Sequence, residues 1–142
     1  DKETHLKTLT KLRDFCKENH RKFYISNDIK LAIRVKADGV YIPSTNKNLY
    51  FKSIKLNRKF KILGSAHNLK EIKIKELQKV DEIFLSPLFR NKNNPQLNIY
   101  KYLNLRKNTF MKDISLGGIS EKNIKKLNLI NPYGFAGISY FE

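Results

Sequence analysis

Ile114-Ser115-Leu116-Gly117-Gly118-Ile119-Ser120 is one of two short apolar runs that end in glycine and a hydroxyl residue; the other, sixteen residues beyond Gly118, is Gly134-Phe135-Ala136-Gly137-Ile138-Ser139. Between them Glu121 to Ile130 reads as a helix, so the tail of the chain is a strand, helix, strand unit. Glycine at a strand end has no side chain to hold a ligand away, and the backbone amides there are free to approach an anion. A phosphate site is the first reading. On its own, such a glycine pair more often marks a tight strand-to-helix turn with no ligand.

The same alternation runs back through the chain. Leu6, Leu9, Leu12, Phe15 and Cys16 recur at three- and four-residue steps among charged residues, which predicts an amphipathic opening helix. Phe23-Tyr24-Ile25 reads as a strand that breaks at Ser26-Asn27-Asp28 and passes into a helix over 29–35. Gly39-Val40-Tyr41-Ile42 is a strand stopped by Pro43-Ser44-Thr45-Asn46, with a short helix over 49–56. Phe60-Lys61-Ile62-Leu63 ends at Gly64-Ser65-Ala66-His67 before a helix over 69–78. Glu82-Ile83-Phe84-Leu85 ends at Ser86-Pro87, and a loop over 89–96 precedes a helix over 99–105. Strands over 113–116 and 135–138 complete the series.

Six strands alternating with helices indicate parallel βαβ units. Each strand ends in small, polar or glycine residues on the same side, as where ligand loops gather on the C-terminal face of a barrel. The chain opens on a helix and stops after a strand. The expectation is therefore an α/β chain forming one domain over 1–142, a TIM (β/α)8-type barrel that lacks its first two strands and last helix.

Composition bounds the partners. With 142 residues and 40% hydrophobic content the chain can bury one core. Lys and Arg outnumber Asp and Glu 29 to 13, a formal charge of +16 that draws anions, although the charge is scattered along the sequence. Cys16 is the single cysteine, which excludes an intrachain disulfide framework. No apolar run approaches the roughly 20 residues that span a bilayer, so no membrane partner and a cytoplasmic location are expected.

Taken in order, the strand ends resemble the thiamine-phosphate synthase and TenI-like family of barrels. Tyr24-Ile25-Ser26-Asn27-Asp28 is similar to that family's Ile-Asn-Asp signature, and Ala37-Asp38-Gly39-Val40-Tyr41-Ile42 to its Ala-Asp-Gly-Val-His-Leu. Ile62-Leu63-Gly64-Ser65-Ala66-His67 resembles Ile-Gly-Val-Ser-Thr-His, and Ser86-Pro87-Leu88-Phe89 resembles Gly-Pro-Ile-Phe. Leu116-Gly117-Gly118-Ile119 and Gly137-Ile138-Ser139 match its two phosphate-binding turns. The resemblance implies a transferase that joins hydroxymethylpyrimidine pyrophosphate to hydroxyethylthiazole phosphate in thiamine biosynthesis. Pyrophosphate would leave first, helped by magnesium and cationic side chains, before the thiazole nitrogen captures the pyrimidine cation. By position, Asn27 would touch the pyrimidine, Asp28 would ligate Mg2+ and Ser65 would bond the pyrophosphate. Gly117, Gly118, Ile138 and Ser139 would hold the thiazole phosphate.

The departures bear on catalysis. The second magnesium carboxylate falls on neutral Asn46, a weaker ligand for a hard dication. The family's Thr-Pro-Thr-Lys loop reads Arg90-Asn91-Lys92-Asn93-Asn94, where Arg90 or Lys92 could still supply a cation. The Arg and Lys that the family's second strand donates to pyrophosphate fall outside this sequence. Pro87 stands where the tautomerase branch has its histidine, which argues against that activity.

Bland readings stand beside these. Asp28 could act as a helix N-cap alone or as cap and ligand together. His67 could cap or pack, Tyr41 fills the barrel, and the 89–96 segment could be a lid or plain loop. Two rival functions remain: a diverged homologue that binds a phosphorylated heterocycle without condensing it, and a nucleic-acid-binding protein. The second lacks any recognition motif or a single basic stripe with interleaved aromatics. An open barrel edge would invite pairing with another copy of the chain.

Overall fold

The computed structural model describes residues 2–49, 59–89, 98–138 and 140–141. Helix α1 (Lys2–Glu18) leads into strand β1 (Tyr24–Ser26), helix α2 (Ile29–Arg34) and strand β2 (Gly39–Ile42). Strand β3 (Lys61–Ala66), helix α3 (Leu69–Leu77), strand β4 (Glu82–Leu85) and helix α4 (Asn98–Lys107) follow. Strand β5 (Lys112–Leu116), a 3-10 helix (Ile124–Leu129) and strand β6 (Gly134–Ala136) close the series.

The strands form one sheet in the order β1-β2-β3-β4-β5-β6, with every neighbouring pair parallel. This order separates the two α/β architectures open to alternating strands. A doubly wound sheet reverses its strand order at a switch point, whereas a (β/α) barrel adds each strand beside the last in one rotational sense. The chain has the barrel order, and its fold is α/β of the TIM type.

Alternation along each strand divides the side chains. One face packs on the helices. Val40, Ile42 and Ile62 join Ile29, Ala32 and Val35 in one buried cluster, and Ala66, Ile83 and Leu85 join Ile72, Tyr102 and Leu105 in another. Gly64 shows how closely α3 approaches: a Cβ there would lie 3.0 Å from the Lys75 side chain and 3.0 Å from Val80. The other face carries Tyr41, Ser65 and Phe84, whose contacts cross from β2 to β3 and β4. Tyr41 donates to Ser65 at 2.8 Å and meets the Phe84 ring edge-on at 5.8 Å.

The expected strands over 39–42 and 82–85 are observed with those limits. The last strand is shorter than expected, so Gly137 and Ile138 lie just past its end. The predicted helix over 121–130 is a 3-10 helix of six residues. Asn123 accounts for the late start: its side chain donates to Gly118 O at 2.7 Å and accepts from Ser120 N at 2.9 Å, holding a turn before the helix. Leu49 is not helical, and the rest of the helix expected over 49–56 lies outside the described residues, as does the 89–96 loop after Phe89. Among the described residues no helix is long and apolar enough to cross a membrane.

Candidate functional site at the C-terminal rim

Because all six strands are parallel, their C-terminal ends share one edge of the sheet, and the loops that leave them form a rim. On β1 to β3 those loops touch. Asn46 Nδ2 donates to Asn27 Oδ1 at 2.6 Å, and Asn46 Oδ1 accepts from Asn48 N at 2.8 Å. Asn27 sits at φ +60°, a left-handed conformation that asparagine tolerates better than most residues, and its N–H donates to Tyr41 O at 2.7 Å. Asp28 is the N-cap of α2, its Oδ1 accepting from Leu31 N at 2.9 Å. Ser65, buried beneath this patch, accepts from Tyr41 OH at 2.8 Å and from Ser44 N at 3.0 Å. Among the described residues no acceptor takes its own hydroxyl proton.

The patch is braced from behind by α3. Lys75 is fully buried, and its ammonium donates to Pro43 O at 2.7 Å, Asn46 O at 2.9 Å and Gln78 Oε1 at 2.9 Å. Gln78 Nε2 donates to Asn46 O at 3.0 Å and Asn48 O at 2.8 Å. Burial pushes the Lys75 ammonium down to about 8, with Glu71 opposing the shift. Two side chains of one helix thus fix the backbone that presents Asn46.

A second patch spans β4 to β6. Leu88 N donates to Leu116 O at 2.8 Å and Phe89 N to Gly117 O at 3.1 Å, tying the loop after β4 to the end of β5. Gly117 has φ +96° and Gly118 φ +66°. A Cβ on Gly117 would stand 2.8 Å from both Cα and Cβ of Pro87, which follows a cis Ser86-Pro87 bond. His67 lies between the patches, its Nδ1 2.7 Å from Ser86 O. Its N–H donates to Glu71 Oε2 at 2.7 Å, while Asn68 caps α3 through Glu71 N at 3.0 Å. Beneath this half a buried network holds α4 to β5. Tyr102 OH donates to Asp113 Oδ2 at 2.8 Å, Arg106 Nε lies 3.4 Å from Asp113 Oδ1, and Arg106 also donates to Ile130 O. Burial pushes the Tyr102 phenol well above its usual range.

A family described as thiamine monophosphate synthase matches residues 1–141. The chain belongs to this family. It is 30% identical to the "Putative thiamine-phosphate synthase 2" of Aquifex aeolicus, over 99% of this chain and 76% of that protein. It is 30% identical to the thiamine-phosphate synthase of Staphylococcus haemolyticus, over 82% of this chain and 57% of that protein. The chain therefore spans about three quarters and somewhat over half of these two relatives. A solved thiamine phosphate pyrophosphorylase from Pyrococcus furiosus superposes with a TM-score of 0.78 over 97% of this chain and 67% of that one, at 16% identity, which speaks for the fold.

Within this family member, Asn27, Asp28, Asn46 and Ser65 lie at or just beneath the rim on three adjacent strands. Gly117, Gly118 and Ile138 lie at the ends of β5 and β6. Ser139 and Lys92 fall outside the described residues. Among the described residues no group of three or more His, Cys, Asp or Glu could hold a metal ion. Sequence reading missed Lys75 and Gln78, since lysine and glutamine on a helix read as solvent-facing. The available signal was their spacing: 72, 75 and 78 step by three, and Ile72 is fully buried.

Proposed function

We propose that the chain takes part in thiamine phosphate synthesis as a transferase that condenses hydroxymethylpyrimidine pyrophosphate with hydroxyethylthiazole phosphate. The observation that carries this reading is the contact between Asn27 and Asn46 above Ser65, with the two positive-φ glycines at the end of β5 on the same rim. Asn27 orients the pyrimidine through its amide. Ser65 donates its remaining proton to a pyrophosphate oxygen, and Lys92 supplies positive charge as the pyrophosphate departs. The amides of Gly117, Gly118 and Ile138, with the Ser139 hydroxyl, hold the thiazole phosphate and so fix the nucleophilic ring.

Magnesium in such sites keeps several waters and is held by one or two carboxylates plus substrate phosphates. The donors here fit that pattern at its weak end: Asp28 offers one carboxylate, and Asn46 a neutral amide oxygen already bonded to Asn48 N. Bound there with pyrophosphate, the ion would neutralise charge on the leaving group. That same neutral Asn46 favours a second reading, a homologue that binds the phosphorylated ring compounds without joining them.

Incubation of the purified chain with both substrates and Mg2+, read as thiamine phosphate formed, tests the proposal, with calorimetry of hydroxyethylthiazole phosphate alongside. Product above the protein-free rate supports the transferase. Thiazole phosphate binding without product selects the second reading, and no binding with no product overturns both.

A further inference from the structure

We propose that a basic cleft at the opposite end of the sheet binds a short chain of linked phosphates. The cleft, of about 530 Å³, lies where α1 hands over to β1 and α2 to β2, at the N-terminal ends of the strands and away from the rim. Arg13 and Lys17 of α1, Arg21 and Lys22 of the turn that follows, and Lys36 of the α2-β2 turn converge on it. His20 adds a ring nitrogen, and Asp38 is the single carboxylate among its lining residues.

Three features distinguish this cluster from the general excess of lysine in the chain. First, the backbone that carries it is fixed. His20 closes α1 at φ +53°, with His20 N donating to Lys17 O at 3.1 Å and Arg21 N to Cys16 O at 2.7 Å; Lys36 closes α2 at φ +54° with its N–H on Ile33 O at 3.0 Å. Cations on a fixed backbone lose less freedom when an anion binds. Second, the one acid is already engaged, Asp38 Oδ1 with Lys22 Nζ at 2.8 Å and Oδ2 with Phe23 N at 3.0 Å. Third, Arg13 is only 21% exposed, and its buried Nε lies 2.8 Å from Asp14 Oδ1 without the alignment of a hydrogen bond. Its buried stem and the Asp14 carboxylate beside it hold the guanidinium in place.

Cations at the C-terminus of α1 also complement the helix dipole, which suffices for Lys17. It does not account for Lys36, which arrives from a different helix. Five Lys and Arg charges against the carboxylates of Asp38 and of Asp14, which lies beside Arg13, leave a net positive charge of three, a field that attracts the roughly four negative charges of a triphosphate group. The cleft volume falls within the range of small-ligand sites, roughly 300–1,000 Å³. Among the described residues no Phe, Tyr or Trp lines it to stack a base, so recognition rests on the phosphates, whether inorganic or carried by a nucleotide.

The test is calorimetric titration of the full chain with tripolyphosphate, ATP and orthophosphate at a fixed moderate salt concentration. The expected result is one site, tripolyphosphate and ATP binding alike, and orthophosphate at least tenfold weaker. Arg21→Gln with Lys36→Gln, both exposed and both keeping their backbone hydrogen bonds, should weaken tripolyphosphate by about tenfold or more, each lost charge-assisted bond counting. Lys125→Gln with Lys126→Gln on the 3-10 helix should leave binding unchanged. Arg13→Gln, with its melting curve checked, should act like the first pair. Equal losses in the Arg21/Lys36 and Lys125/Lys126 pairs would mean diffuse attraction to a +16 chain and overturn the proposal. So would ATP binding without tripolyphosphate, or a single-stranded oligonucleotide that binds while tripolyphosphate fails to compete.

Discussion

Replacing Lys75 with methionine keeps the length of the side chain and removes its charge and its three donated bonds. Asn46 O keeps Gln78 Nε2 as a donor and Pro43 O keeps the Asn46 N–H, so the acceptor left without a partner is Gln78 Oε1. That loss costs roughly 1–3 kcal/mol. Against that, a buried ammonium pushed down to about 8 already carries roughly 3 kcal/mol of unfavourable burial relative to the unfolded chain, which the variant escapes. The two are of similar size, so the net at pH 7 is within about 2 kcal/mol of zero, on the side of the variant. The pH dependence has a definite sign. Between about 8 and 10.5 the unfolded chain holds a proton on Lys75 that the folded chain has released, so parent stability rises with pH across that window. Urea denaturation of parent and Lys75→Met at pH 7 and pH 9.5 should show the parent gaining roughly 2 kcal/mol on the variant. Parallel curves for the two proteins over that interval would refute the assignment of a buried, titrating amine.

Other substitutions test the rest of the frame. Gly117→Ala forces a non-glycine residue to φ +96° and a Cβ to 2.8 Å from Pro87, so thermal denaturation should show a loss of about 3 kcal/mol from strain and overpacking. Asp28→Ala removes the α2 cap and should cost about 1 kcal/mol in urea denaturation; under the proposed function it also abolishes magnesium-dependent pyrophosphate binding while thiazole phosphate still binds. Tyr102→Phe deprives Asp113 of its 2.8 Å donor and should destabilise by about 2 kcal/mol at pH 7. It should also flatten the fall in stability above pH 10, where the unfolded phenol ionises and the buried one does not.

What the sequence made legible follows from what periodicity can encode. Gly39–Ile42 and Glu82–Leu85 stand out because each is a compact run bounded by turn residues, and a buried parallel strand needs little more. Strand order could not be read directly; the barrel reading rested on polar residues recurring at the strand ends, and the consecutive order β1 to β6 agrees with it. The 3-10 helix after Gly118 was read as a full helix because its start depends on how Asn123 folds back on Gly118 and Ser120, a contact that composition does not signal. At the rim, motif order pointed to Asn27 and Asn46, but not to their mutual hydrogen bond. The braces beneath them were hidden for a physical reason. Lys75 is buried because three acceptors converge on its ammonium, and two of them, Pro43 O and Asn46 O, come from a loop some thirty residues earlier, while the third is Gln78 Oε1. Hydrophobic patterning has no term for a polar group whose partners are supplied by tertiary structure.

The central claim is that the strand ends of this family member form a phosphate-binding rim for a phosphorylated heterocycle. Titration of the isotopically labelled chain with hydroxyethylthiazole phosphate, followed by amide NMR, tests it most directly. The account predicts saturable shifts concentrated at Gly117, Gly118, Ile119, Gly137 and Ile138, with Arg13, Arg21 and Lys36 silent. Unmoved glycine amides, or shifts gathered at the opposite end of the sheet, would contradict it.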